Sequence, residues 1–463
     1  MDEGGWMRDE GGWIRAAGDI CTRLKEIVLS LIHPPSTLYP HPSSMIRLCL
    51  LLALFPFLAR AQAPSDPYRE RAITILESVP LIDGHNDVPI AYRGRVGYKL
   101  SAMDFWNTRM AQRPLHTDIE RLRAGRVGGQ FWSVFVGANQ PEPTSVLQTM
   151  EQIDFVYRLI DKYPDQFALA LTADDIEREF SKGKIASLIG IEGGHSIGNS
   201  LGALRQFYSL GARYMTLTHS RSLDWADSAT DEAKNGGLTL FGREVIREMN
   251  RLGMMVDLSH VSPAVMSHAL DVSEAPVIFS HSSARAVADH PRNAPDSILV
   301  RLKENGGLIM VTFVPSFISQ KLYDHERKAA AEVARIRSQY ANDASAQEIA
   351  IREWNEANPA PKATLSDVAD HIDHIRKLIG SDHIGIGGDY DGIPSLPVGL
   401  GDVSTYPDLF AELLRRGYSD EELRKIAGLN LLRVMRGVEV AAQSIQQERG
   451  VSEMLFSDQN AKQ

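Results

Sequence analysis

From about Leu81 onward one event recurs along the chain: a short apolar, β-branched run, a polar or glycine-bearing corner, then a stretch with apolar residues three and four apart. The apolar runs cover residues 81–87, 129–136, 185–192, 213–219, 254–260, 276–281, 308–314 and 383–389. Helical spacing fills the intervals, most clearly over 144–162, 201–210, 240–252 and 365–379. Eight strands alternating with helices is the count of an α/β fold of the (β/α)8, or TIM barrel, type. A doubly wound open sheet is the competing architecture, but no Gly-x-Gly-x-x-Gly turn follows a strand. Two regions break the rhythm. Residues 324–362 form a charged, alanine-rich helical excursion after the seventh strand, and 406–416 and 419–436 read as helices packed on the outside of the barrel. Neither region has enough strands for a second domain, so one catalytic domain is expected over 64–440, with a polar tail over 441–463.

Hydrophobic strands have no use for charges at their ends unless something there engages them. Six of the eight runs end in such groups: His85 and Asp87, Glu192, His219, His260, His281 and Asp389. In a barrel the carboxyl ends of the strands share one face, where these enzymes build their sites. His85 and Asp87, at i and i+2 on a strand, point to the same side and are ligand types that zinc accepts. Glu192 ends a buried run, where a carboxylate is costly unless paired or bound to a cation. Its two oxygens suit a bridge between two metals, and a helix cap or a salt bridge is the plainer alternative. His260 and His281 each follow a serine at the end of consecutive strands, close enough to share a second ion. Asp389, in a glycine-rich segment that returns beside the first strand, is placed to accept a proton and pass it on; Asp391 is the alternative for that role. His195 reads as structural.

Composition narrows the function classes. The chain has 463 residues, 43% hydrophobic and 23% charged, with a formal net charge of −10 and no clustered Lys/Arg run, which argues against a nucleic-acid partner. Residues 45–63 read as a secretory signal peptide: one arginine, an apolar run over 48–58, then Ala61 and Ala63 before the expected cut. That run is short of the about 20 residues that span a bilayer. Residues 1–44 contain a near-repeat of Asp-Glu-Gly-Gly-Trp and are expected to be an over-extended reading frame ahead of Met45. Both cysteines, Cys21 and Cys49, precede the cut, so a mature chain of 463 − 63 = 400 residues would have none. A soluble exported protein, periplasmic or secreted and without a stable membrane anchor, is the expectation.

Seven blocks, in order, carry a resemblance. They are Asp-Gly-His-Asn-Asp at Asp83, Gly-Ile-Glu-Gly-Gly-His at Gly190, Thr-Leu-Thr-His-Ser at Thr216, Asp-Leu-Ser-His at Asp257, Ser-His-Ser at Ser280, His-Pro-Arg-Asn at His290 and Gly-Gly-Asp-Tyr-Asp-Gly at Gly387. From about Tyr68 to Val438 the chain resembles the membrane, or renal, dipeptidases, a family of zinc peptidases. The resemblance implies two zinc ions per chain, one held by His85 and Asp87, the other by His260 and His281, with Glu192 bridging. It implies that His219 contacts the substrate and stabilises the oxyanion, that Arg292 helps bind the dipeptide carboxylate, and that Asp389 is the proton shuttle. His219 as a third ligand and Arg292 as a loop salt bridge are the competing assignments. Phe317 stands where some relatives have a tyrosine that helps hold that carboxylate. With no lipid-anchor tail and no mature cysteine, the chain looks like a soluble bacterial relative, and any homodimer would be non-covalent.

The implied reaction is hydrolysis of dipeptides by a metal-bridging hydroxide, with tolerance of a C-terminal D-residue and of β-lactam-like amides. Two rivals stand beside it: another binuclear amidohydrolase acting on lactones or cyclic amides, and a non-catalytic exported binding protein. Glu192 in place of the modified lysine used by many of the former, and the intact ligand set, favour the dipeptidase.

Overall fold

The computed structural model describes residues 66–460. The signal segment, the residues ahead of it, both cysteines and residues 461–463 lie outside the described residues. Among the described residues nine parallel strands run β1 (Leu81–Asn86), β2 (Val127–Phe135), β3 (Phe167–Leu169), β4 (Ile185–Glu192), β5 (Ala212–Thr216), β6 (Met255–Asp257), β7 (Ile278–Ser282), β8 (Leu308–Val311) and β9 (Ile384–Ile386). Eight close a (β/α)8 barrel, with β9 returning beside β1 and β2 pairing β4 directly. The ninth, β3, was not anticipated. It pairs only the first residues of β4, from Phe167↔Ile185 to Leu169↔Ser187, below the point where β5 joins at Ile189↔Ala212. Three residues are too few for an apolar alternation to register in a sequence.

Strand β4 illustrates how the barrel is filled. It is buried along its whole length and reads as a nearly continuous apolar run, as parallel strands covered on both faces do. Ile185, Ile189 and Ile191 belong to the core between strands and helices, while Ala186 and Leu188 join Ile82, Phe131, Tyr214, Met255, Ile278 and Met310 inside the barrel. The inward row continues through Gly190 to Glu192, so two-residue periodicity aims Glu192 at the barrel mouth. Gly190 is glycine for a steric reason: a Cβ there would fall on the Tyr214 ring.

Two expectations change. The helix Asn430–Glu448 does not pack on the outside of the barrel. Its Leu431, Leu432, Val434, Met435 and Val438 join the interior cluster. Asn430 donates to Ile384 O at the start of β9, and Arg433 donates to Gly306 O ahead of β8, so the helix closes the end of the barrel opposite the site. The expected break at residue 440 falls within this helix, where Ala442 and Ile445 are buried. The excursion over 324–362 is helical, as Gln320–Gln339 and Ala344–Ala357, and the second of these buries no residue.

Candidate metal centre

Most of the site residues do not stand at strand ends. His85 lies within β1 and His281 within β7, and Glu192 ends β4, but His219, His260 and Asp389 each come three residues after their strand stops. The chain turns sharply there. His260 (φ 68°), Asp389 (φ 59°) and Asp391 (φ 69°) occupy the left-handed region, a strained conformation for non-glycine residues that concentrates at functional sites. The turn from β9 is pinned by buried Asp83, whose carboxylate accepts from His85 N (3.2 Å), Gly388 N (2.9 Å) and Tyr406 Oη (2.7 Å).

The centre converges on one carboxylate oxygen. Glu192 Oε1 lies 3.0 Å from His260 Nε2, 3.5 Å from His281 Nε2 and 3.6 Å from both His85 Nε2 and His219 Nε2. Asp87 Oδ2 is 3.5 Å from His85 Nε2, and Ser133 Oγ donates to Glu192 Oε2. Three groupings bring ligand atoms within 4.8 Å of one another: His85 with Glu192 and His281, Glu192 with His219 and His260, and His85 with Asp87 and Asp389. His195 is in none of them; its Nε2 is 2.8 Å from Val136 O.

Hydrogen bonds behind the centre fix which nitrogens face it bare. The Tyr214 hydroxyl donates its one proton to Gly84 O (3.1 Å), so its 3.0 Å contact with His85 Nδ1 requires the proton on that nitrogen. Ser280 Oγ donates to Asp257 Oδ2 (2.6 Å), a carboxylate that also accepts from Thr216 Oγ1, Ser259 N and Ser280 N. Ser280 therefore accepts from His281 Nδ1 at 2.8 Å. Both imidazoles present Nε2 lone pairs to the centre. His85 Nε2 has no hydrogen-bond partner, and His281 Nε2 lies 2.9 Å from His260 Nε2. Burial opposes a charge on His85, yet Tyr214, Glu192 and Asp87 raise its pKa well above the usual imidazole range. Nitrogens and carboxylate oxygens this close need a cation between them, a proton or a metal, and the donor set fits divalent metal. The roles of Tyr214, Asp257 and Ser280 escaped the sequence reading, although Ser280 and Asp257 stand inside the quoted blocks.

Burial sets the charge states. It holds His219, His260 and His281 below the usual imidazole range, with Arg292 adding to the effect at each. Burial opposes a charge on Glu192, yet the surrounding imidazoles, led by His85 and His219, keep its carboxyl well below the ordinary value. At Asp389 burial pushes the carboxyl well above that value, aided by Asp87 and Glu192 against the pull of His85 and Arg292. Burial brings Arg292 down to about 10, still charged at neutral pH. Arg292 enters no ion pair among the described residues; its contacts are Ser282 Oγ (3.4 Å), His281 O (3.5 Å) and the face of Phe317 (5.3 Å). Asp87, Glu192, His219, His260, Arg292 and Asp389 line a cavity of about 450 Å³, within the usual range for small-molecule sites.

A family model described as membrane dipeptidase (peptidase family M19) matches residues 69–449. The chain belongs to that family. It is a metallo-dipeptidase. Dipeptidase verJ of Clonostachys rogersoniana is 42% identical over 385 residues, covering 81% of this chain and 88% of that protein. An uncharacterised dipeptidase of Schizosaccharomyces pombe is 43% identical over 411 residues, covering 86% and 90%. Both relatives are fungal, so the bacterial source expected from the sequence gains no support from them. Among solved structures, the probable dipeptidase PvdM of Pseudomonas aeruginosa shares the fold with a TM-score of 0.69 at 24% identity, covering 81% of this chain and 99% of that one. A metallopeptidase of Rhodobacter sphaeroides, liganded with a phosphinate mimic of L-Ala-D-Ala, gives 0.64 at 23%, covering 78% and 99%.

Proposed function

We propose that this metallo-dipeptidase uses two zinc ions, one held by His85 and Asp87 and the other by His260 and His281, with Glu192 between them, and that it accepts dipeptides with either an L- or a D-residue at the C-terminus. The observation that carries the metal assignment is the inward-facing Nε2 lone pairs of His85 and His281 around Glu192 Oε1. When bound, the metals would polarise the scissile carbonyl and acidify a water to a nucleophile at neutral pH. The protein's own groups supply the rest. Arg292 offers a planar fork to the terminal carboxylate, and the Phe317 ring beneath it adds no hydroxyl to that contact. His219, kept neutral by burial, is placed to donate to the developing oxyanion. Asp389 would take up the proton that the attacking water gives up and pass it to the departing amine, a role that burial, by raising its carboxyl pKa, favours.

Export after cleavage at Ala63, as a soluble protein, is part of the same proposal and rests on the apolar run over 48–58 and the small residues after it. The test of the catalytic reading is hydrolysis of an L,L and L,D dipeptide panel by zinc-loaded protein, with and without chelator. Turnover of both series that stops on chelation and returns with zinc is the expected result. Turnover indifferent to chelator would remove the metal assignment, and cleavage of L,L substrates alone would remove the stereochemical one.

A further inference from the structure

Three arginines face the cavity, and the dipeptidase reading uses one of them. Arg292 lies on the His281 side of the centre. Arg95 and Arg113 come from the chain that follows β1. The helix Val88–Val96 starts directly after Asp87 and lays Ile90, Ala91, Gly94 and Arg95 along the cavity, the i, i+3/i+4 spacing of a single helix face. Arg95 reaches Asp391, two residues beyond Asp389, and the adjoining Gly392 is so close that a Cβ there would fall on the Asp87 and Asp389 carboxylates.

Arg95 is poorly satisfied for a guanidinium so withdrawn from water. Its side chain is 17% exposed, yet its one polar contact among the described residues is Nη1 to Asp391 Oδ1 at 3.4 Å, on an oxygen that already accepts from His116 N at 2.8 Å. Arg113 lines the same cavity, is exposed, and enters no ion pair or side-chain hydrogen bond among the described residues. Beside Arg95 on the same cavity wall, Gly94 leaves open space: a Cβ there would meet nothing within 4 Å outside its chain neighbours. Two guanidinium groups with unused donors beside a gap form a receptor for a carboxylate. A dipeptide with neutral side chains has only one carboxylate, and in the dipeptidase reading Arg292 takes it.

We propose that Arg95 and Arg113 form an anion subsite that selects dipeptides whose N-terminal residue carries a side-chain carboxylate, such as Glu-Ala or Asp-Ala. The inference rests on the dipeptidase reading, which places the C-terminal carboxylate at Arg292. An acidic side chain on the N-terminal residue then extends away from Arg292, toward Arg95 and Arg113. Asp391 holds Arg95 in place and becomes the weaker of two carboxylates competing for it.

The test compares kcat/KM for Glu-Ala, Gln-Ala, Ala-Glu and Lys-Ala in the zinc-loaded full chain, and in Arg113→Gln and Arg95→Gln. Glu-Ala is expected to exceed Gln-Ala by about tenfold, mainly through KM, as a charge-assisted contact would give. The ratio should contract in each variant and, because Arg113 is exposed, with rising salt. The Gln-Ala rate of each variant reports whether it has folded, and the Arg113 variant changes an exposed residue only. A Glu-Ala to Gln-Ala ratio of one or less, a ratio unmoved in both variants, or a preference for Ala-Glu over Glu-Ala would each overturn the subsite. If none of the four dipeptides, nor Ala-Ala, is cleaved, the dipeptidase reading itself fails and the subsite falls with it.

Discussion

Tyr214 and Ser280 act on the centre by holding two histidines from behind. Each accepts a hydrogen bond from an Nδ1 and thereby turns Nε2 toward Glu192. Tyr214→Phe and Ser280→Ala keep the packing nearly intact but release that constraint. Each is expected to weaken metal binding by roughly 10- to 100-fold, read by chelator competition, with little change in the circular dichroism of the fold. The two losses should be separable, because Tyr214 serves His85 and Ser280 serves His281. If the centre holds two ions as proposed, one tight ion and one weak ion in each variant is the expected pattern. Asp389 is tested differently. Asp389→Asn should keep its metal content and lose turnover by about 10²-fold or more, as removal of a general acid–base group does. A metal-replete variant with near-normal rates would take the proton from Asp389.

Strands and helices were legible where the apolar pattern is long. Ile185–Glu192, Leu240–Leu252 and Leu365–Ile379 coincide with their expected limits, since each has enough residues for its period to stand out. Strand β6 was expected to run to His260 and stops at Asp257, because the chain turns after it and puts His260 in a left-handed conformation that has no compositional signature. The same holds for Asp389 after β9. The ionisable residues were therefore found by their chemistry and misplaced by a few residues in their geometry. Partners such as Tyr214 were hidden for another reason: an apolar-strand tyrosine reads as core, and only the fold brings it to His85. The helix Asn430–Glu448 looked peripheral because amphipathic spacing does not say which surface it covers. Its burial gives a direct test. A chain ended at residue 440 removes buried Ala442 and Ile445 and the last turns of the helix, and it is expected to lose roughly 2–5 kcal/mol of stability. A chemical-denaturation midpoint equal to that of the full chain would show the truncated turns to be dispensable.

At the scale of the whole molecule, acid should loosen the fold through histidines buried neutral. His371 is fully buried; its Nδ1 accepts from Ala284 N (3.1 Å), and its Nε2 lies 3.2 Å from Ile318 O. Burial brings it down to about 4 from an ordinary 6.5. Between those values the unfolded chain binds a proton that the folded chain refuses, so stability falls as pH drops through that window, by on the order of 2 kcal/mol at pH 5. Stability that is full above about pH 6.5 and declines toward pH 4 is the expected profile, with a smaller decline in His371→Gln. Equal declines in the two proteins would assign the acid sensitivity elsewhere.

The barrel's closure also has a consequence in time. Strand β1 finds its second neighbour only in β9, and the helix Asn430–Glu448 supplies the floor beneath the interior. The segment that bears His85 and Asp87 leaves the ribosome early, and the residues that complete its surroundings leave last. Until then an open sheet must wait with its interior uncovered, so the slow step in making this enzyme is the meeting of its two ends.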